Sequence, residues 1–341
     1  MNMEMENSIQ SEINQIEMKK PHVVILGAGA SYAAFPNGDK YCKRIPLMNN
    51  LVEILELGDL LHGSHIKFKS DNFEDIYSKL YKSKEHNKLR DELEKRIYKY
   101  FKQMYIIDNP TIYDHLLLSL RDKDLVATFN WDPLLIQACK RNAFRFKLPR
   151  LLFLHGNVEV GYCEKDNISG INGNNCSQCN EILKPTKLLY PIDEKDYHLN
   201  RFIGLQWKEL QYNLRNAFMV TIFGYSAPKS DVRAIALMKL AWGEIENRKM
   251  EQTEIIDIKS ENALCEAWQP FIHSHHYDVH RDFYKSWIAN HPRRTGEAYL
   301  NQYFYTKFID NNPIPKDLSF LELWKWLKPL QDVEKLRKND K

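Results

Sequence analysis

Four short apolar runs each stop at a glycine or a small polar cluster, and this pattern narrows the fold most. The run at 23–26 (Val-Val-Ile-Leu) meets Gly27-Ala28-Gly29-Ala30-Ser31, and that at 125–129 meets Asn130-Trp131-Asp132. The run at 151–154 meets His155-Gly156, and that at 218–223 meets Gly224-Tyr225-Ser226. Each is too short for a helix and is bounded by turn formers, so each reads as a buried strand. A fifth strand is expected at 254–258. Helical patterns lie between them. At 85–107, for example, Leu89, Leu93, Ile97, Phe101 and Met104 recur every three or four residues among charges. Strands alternating with helices predict an α/β fold with a parallel sheet covered on both faces. In such sheets, ligands bind outside the carboxyl ends of the strands, where these clusters fall.

Composition excludes several alternatives. Six cysteines in 341 residues are too few for a secreted disulfide scaffold and point to a reducing, cytoplasmic setting. The formal charge of +3 gives no general attraction to nucleic acid or to a membrane surface. No apolar run is long enough to span a membrane, and the polar, acidic start does not read as a signal peptide. Residues 1–20 form a polar lead. Ile9, Ile13 and Ile16 within it fit either a short docking helix or a frayed tail. A catalytic core is expected over 21–270, with a helical insertion at about 46–120 and a cysteine module at about 160–186. A helical C-terminal region follows at 271–341. There Ser319 and Glu322 have capping-box spacing.

The clusters carry the chemistry. Glycines at a strand-to-helix turn let the backbone approach a phosphate, although Tyr32 breaks a full G-x-G-x-x-G and a tight packing turn would use the same residues. No second strand with an acidic residue follows about 20 positions on, which counts against a hydride-transfer site. Asn130 and Asp132, two apart at a strand end, suit a cleft but also a turn or cap. His155 after a strand suits a general base near neutral pH.

Taken in order, Gly-x-Gly-x-Ser, Asn-x-Asp, His-Gly, a cysteine insertion and Gly-x-Ser over roughly 22–260 resemble the sirtuin superfamily. Within it the chain looks more like bacterial sirtuin-like NAD hydrolases of the antiphage-defence type. The resemblance implies a Rossmann-like sheet of the sirtuin type that cleaves NAD+ to nicotinamide and ADP-ribose. By the same resemblance, Gly27, Ala28, Gly29 and Ser31 would hold the diphosphate. Asn130 would hold the nicotinamide-side ribose and place the water, Asp132 would sit in the nicotinamide pocket, and His155 would be the base. Gly224 and Ser226 would return to the phosphates and ribose, with Asp257 at the adenosine ribose. It further implies defence by NAD depletion, a homo-oligomer, and a helicase- or translocase-type ATPase as partner.

Departures from the protein deacylases accompany this. Ala34-Phe35-Pro36-Asn37-Gly38-Asp39 stands where they carry Gly-Ile-Pro-Asp-Phe-Arg. Phe129 stands for Gln, and Leu189-Tyr190-Pro191-Ile192-Asp193-Glu194 stands for the Phe-Gly-Glu segment. These changes count against acetyl-lysine peptide binding but leave the parts needed to bind and cleave NAD. The alternatives to the hydrolase are an NAD-dependent protein deacylase and a non-catalytic sensor of NAD or ADP-ribose.

Cys163 and the Cys176-x-x-Cys179 pair suggest a zinc module whose fourth ligand is Asp166 or a histidine, or else three free thiols. Cys42, Cys139 and Cys265 read as ordinary buried residues. His273, His275, His276 and His280, around Asp278, match no established ligand set and read as a surface or subunit contact. Arg293 and Arg294 read as solvated.

Overall fold

The computed structural model describes residues 6–339 apart from 64, 65, 67, 69, 83, 193–196, 198, 199, 228–230, 249, 270 and 273–275. His273, His275, Asp193 and Glu194 lie outside the described residues.

Six parallel strands form the central sheet: β1 (His22–Leu26), β2 (Leu125–Thr128), β3 (Arg150–Phe153), β4 (Met219–Phe223), β5 (Gln252–Ile256) and β6 (Tyr277–His280). Their spatial order is β3-β2-β1-β4-β5-β6. That is the Rossmann order, in which the direction of travel reverses between β1 and β4 and opens a crevice at their carboxyl ends. The sheet is double-faced because side chains alternate along each strand. Val24, Leu26 and Val126 enter one core, whereas Val23, Ile25 and Ala127 enter the other.

Different helices cover the two faces. The insertion supplies α2 (Phe73–Tyr81), α3 (Asn87–Lys102) and α4 (Ile112–Leu118), which share the first core with α1 (Ala28–Ala34), α5 (Leu134–Ala143) and the C-terminal α8 (Phe320–Asn339). The second core packs under α6 (Arg201–Asn216) and α7 (Val232–Trp242). The stripe on α3 faces inward as its spacing requires, with Leu93, Ile97 and Phe101 buried. The cysteine insertion forms a separate small sheet of Val160–Cys163, Ile168–Ile171 and Lys184–Pro185. Among the described residues no helix is long and apolar enough to cross a membrane.

Several expectations are corrected. β5 ends at Ile256, so Asp257 lies just beyond the strand. β6 lies in the region read as helical. Its sequence Tyr-Asp-Val-His lacks an apolar run, and it forms because β5 offers a free parallel edge. His276 and His280 therefore flank and end an edge strand: His276 bonds Tyr299, and His280 Nε2 lies 3.3 Å from the buried Glu254 carboxylate. Cys42 is exposed in a turn, and Cys139 and Cys265 are half-buried.

Arg293 and Arg294 are fully buried rather than solvated. Both guanidinium groups bond Glu334 of α8, and Arg294 also donates to the Ile13 and Leu330 carbonyls. Burial is tolerated because these donors find acceptors. The helix Ile9–Asn14 in the lead joins the same cluster through Glu12 and His291, 2.9 Å apart.

Candidate active site

A cavity of about 410 Å³ opens at the carboxyl ends of the strands. Gly27, Ala28, Gly29, Ser31, Asn130, Asp132, His155, Gly224, Ser226 and Asp257 all line it. The strand ends explain this convergence, since neighbouring parallel strands deliver their following residues side by side. Asp257 and the exposed Ser226 occupy the rim, whereas Asn130, Asp132 and His155 are buried.

The glycines first serve packing. Gly27 N–H donates to the Phe223 carbonyl and Gly29 N–H to the Gly224 carbonyl, so the loops after β1 and β4 interlock. A Cβ on Gly224 would stand 2.1 Å from the Ala30 nitrogen, and its φ of +60° also favours glycine. The N–H groups of Gly27 and Gly29 are thus engaged within the protein.

Asn130 has a fixed orientation. Its Nδ2 donates to the Gly27 carbonyl at 2.8 Å and to Ser31 Oγ at 2.9 Å. A carbonyl only accepts, so the amide nitrogen must face it. Among the described residues nothing bonds Oδ1, which is left as an acceptor for whatever enters the cavity. Ser31 in turn donates to Asp132 Oδ2 at 2.7 Å, so the phenol of Tyr113, 2.6 Å away, donates to Ser31. Asn157 ties the turn from behind, donating to the Asp132 carbonyl at 2.6 Å.

Burial raises the Asp132 carboxyl above its ordinary range, against the bonds from Ser31 and the Leu134 N–H. Burial, then Asp132, raises the Tyr113 phenol, which keeps it a neutral donor.

His155 lies edge-on to Phe129, 4.7 Å between ring centres, and Phe129 stacks on Tyr225 at 4.2 Å. The aromatic Phe129 thus forms one wall of the histidine's pocket. The Tyr197 hydroxyl is 3.5 Å from His155 Nε2, and Asp231 Oδ1 is 3.9 Å from it. Asn72 and Glu74 from the insertion, and the apolar Ile45, Pro46, Leu47 and Met48 at its start, also line the cavity.

No family model matches the chain, and no curated protein matches it. Among solved structures it is similar to a Sir2 homolog–NAD complex at 13% identity, covering 96% of this chain and 93% of that one, with a TM-score of 0.40. It is also similar to a mutant Sir2 homologue complexed with ADP ribose, at 11% identity, 96% and 97% coverage and a TM-score of 0.42. A structure on sirtuin substrate affinity aligns at 16% identity over 80% of this chain and 90% of that one, with a TM-score of 0.39. The fold stands on the strand order described above.

Sequence reasoning missed Tyr113, Asn157, Tyr197, Asp231 and Glu74. Only Asp231 carried a usable signal: an Asp five residues after Ser226, opening a helix, in a loop already suspected of ligand contact.

In the small module, Cys163, Asp166, Cys176 and Cys179 bring their ligand atoms within 4.8 Å of one another. Asp166 Oδ2 lies 3.4 Å from the Cys163 sulfur and 3.2 Å from that of Cys176. This carboxylate is one of the fourth ligands considered from sequence. Three soft thiols with one carboxylate form a donor set suited to zinc.

Proposed function

We propose that the protein is an NAD+ glycohydrolase, releasing nicotinamide and ADP-ribose. One observation carries the reading: Asn130 Oδ1 and the His155 ring, from adjacent strand ends, line one cavity together with the glycine loop. In the reaction the bond between ribose C1′ and the pyridinium nitrogen breaks, its electrons stay with the leaving nicotinamide, and water adds to C1′. Nicotinamide departs neutral, so no general acid is needed, and the transition state is oxocarbenium-like. Asn130 Oδ1 accepts a hydrogen bond from the water or a ribose hydroxyl and orients it. His155 takes the water's proton.

In this reading Gly27, Ala28, Gly29 and Ser31 border the diphosphate, Asp132 sits in the nicotinamide pocket, Gly224 and Ser226 return to the phosphates and ribose, and Asp257 faces the adenosine ribose. With the Gly27 and Gly29 N–H groups engaged, the glycines supply clearance for the diphosphate more than hydrogen bonds. Asp166 and the three cysteines would hold a structural zinc that cross-links the insertion, and metal analysis giving one zinc per chain checks this. The sequence resemblance also supports action in the cytoplasm as an oligomer in antiphage defence, switched by an ATPase partner.

The test is chromatography of NAD+ incubated with the purified protein, beside Asn130→Ala and His155→Ala. Nicotinamide and ADP-ribose should form in equal amounts and vanish in both variants. Formation of O-acetyl-ADP-ribose with an acetyl-lysine peptide would replace this reading by a deacylase. Tight NAD+ binding without nicotinamide release, at high protein concentration and with candidate ATPase partners present, would replace it by a sensor.

A further inference from the structure

Asp231 is the N-cap residue of α7, yet its carboxylate makes no capping hydrogen bond. An Asp at this position usually accepts from the first turn of its helix. Here the side chain is turned into the cavity and is 4% exposed. The Tyr225 hydroxyl donates to Oδ2 at 2.8 Å, while Oδ1 stands 3.9 Å from His155 Nε2. The Tyr197 hydroxyl approaches the same nitrogen at 3.5 Å, its ring stacked on the imidazole at an interplanar angle of 12°. A buried carboxylate thus faces the imidazole that the proposed reaction protonates.

We propose that Asp231 is a positioning residue that orients the His155 imidazole and stabilises its protonated form as the proton arrives from water. The proposal rests on the hydrolase reading for its catalytic consequence, but the pairing itself is a property of the resting protein. Among the described residues, several other titratable groups surround the pair. Burial first, then Asp231, raises both the Tyr197 and the Tyr225 phenols, so both stay neutral. Arg233 acts on Tyr197, and Glu74 acts on Tyr225 from α2. Asp132 lines the same cavity and is bonded to Ser31. Phe129 packs edge-on against the imidazole, with Trp207 behind it.

An opposite charge within about 4–6 Å raises a histidine's pKa by roughly 1–3 units. Asp231→Asn keeps the shape and removes the charge, so the imidazolium loses support and His155 should titrate lower. The first measurement is an NMR titration of labelled histidines in the full-length protein, with His155→Gln to assign the signal. The expected result is a fall of at least about one pH unit in Asp231→Asn. The acid limb of kcat/KM for NAD+ cleavage should move to lower pH by the same amount. kcat should fall about tenfold, with KM changed little.

Tyr225→Phe provides the second variant. It removes a hydrogen bond from the carboxylate, strengthens its pull, and should raise the His155 titration point. An unmoved His155 signal in folded Asp231→Asn, or in Tyr225→Phe where the first variant does not fold, overturns the proposal. The titration requires no turnover. A protein that shows the shift but cleaves no NAD+ therefore sinks the hydrolase reading while leaving the pair standing.

Discussion

Two regions bury charge, and they do so to different ends. In the cluster that holds α8, Arg293 and Arg294 share Glu334, and their remaining bonds go to main-chain carbonyls. At the strand ends, Asp132, Asp231 and His155 are as deeply buried, but they line a cavity of about 410 Å³. The first arrangement is filled by its own partners and fastens the chain. The second holds polar groups beside space a ligand can take. Burial of a titratable residue does not separate structure from function, whereas what lies next to it does.

The comparison breaks if stability and activity fail to separate. Glu334→Ala leaves two guanidinium groups buried without their carboxylate and should cost about 3–5 kcal/mol in denaturant unfolding, with NAD+ cleavage intact in the folded fraction. His155→Ala should do the reverse. Cleavage falls by roughly 10²–10⁴-fold, while stability changes by no more than about 1 kcal/mol. A large stability loss in His155→Ala would place that histidine with the fasteners.

A third buried group sharpens the contrast through pH. His22 Nε2 bonds Thr221 Oγ1, whose own proton goes to Glu254, so Nε2 carries the hydrogen. Its Nδ1 is buried without a partner among the described residues. Burial lowers the His22 pKa to about 4. The unfolded chain then binds the proton more readily than the folded one, so stability is full above about pH 6.5 and is lost as pH falls toward 4. His115, also lowered to about 4 by burial, adds in the same window. Unfolding midpoints should drop across it, and less steeply in His22→Phe. The smallest effect belongs to the start of α8. Ser319 accepts from the Glu322 N–H and donates to its carboxylate, and Ser319→Ala should cost about 1 kcal/mol. That is a fraction of the loss at Glu334 in the same helix.

Much of the sheet could be read from residues alone, because a short β-branched run closed by glycine has few other uses. Sequence reasoning likewise placed every residue it nominated for the nucleotide on one cavity, since parallel strand ends bring such residues together. It did not find β6, whose residues are polar and whose existence depends on an edge elsewhere in the chain. It also missed Tyr113, which a helix 82 residues from Ser31 delivers to the site, and Asp231, which reads in sequence as an ordinary helix cap. Arg293 and Arg294 were misread because a charged pair looks solvated until its acceptors are known.

The strand order also sets a timetable. β1 pairs with β2 about 100 residues later and with β4 about 200 residues later. Contacts this distant in sequence make folding slow, because a long loop must close before any pairing rewards it. The crevice between β1 and β4 is therefore a late product. A chain emerging from the ribosome passes through most of its length with Gly27 and Gly29 made but their counterpart, Gly224, still to come. A ribosome-bound chain ending before the fourth strand should therefore lack the finished cavity, because Gly224 and the loop after it supply part of its lining.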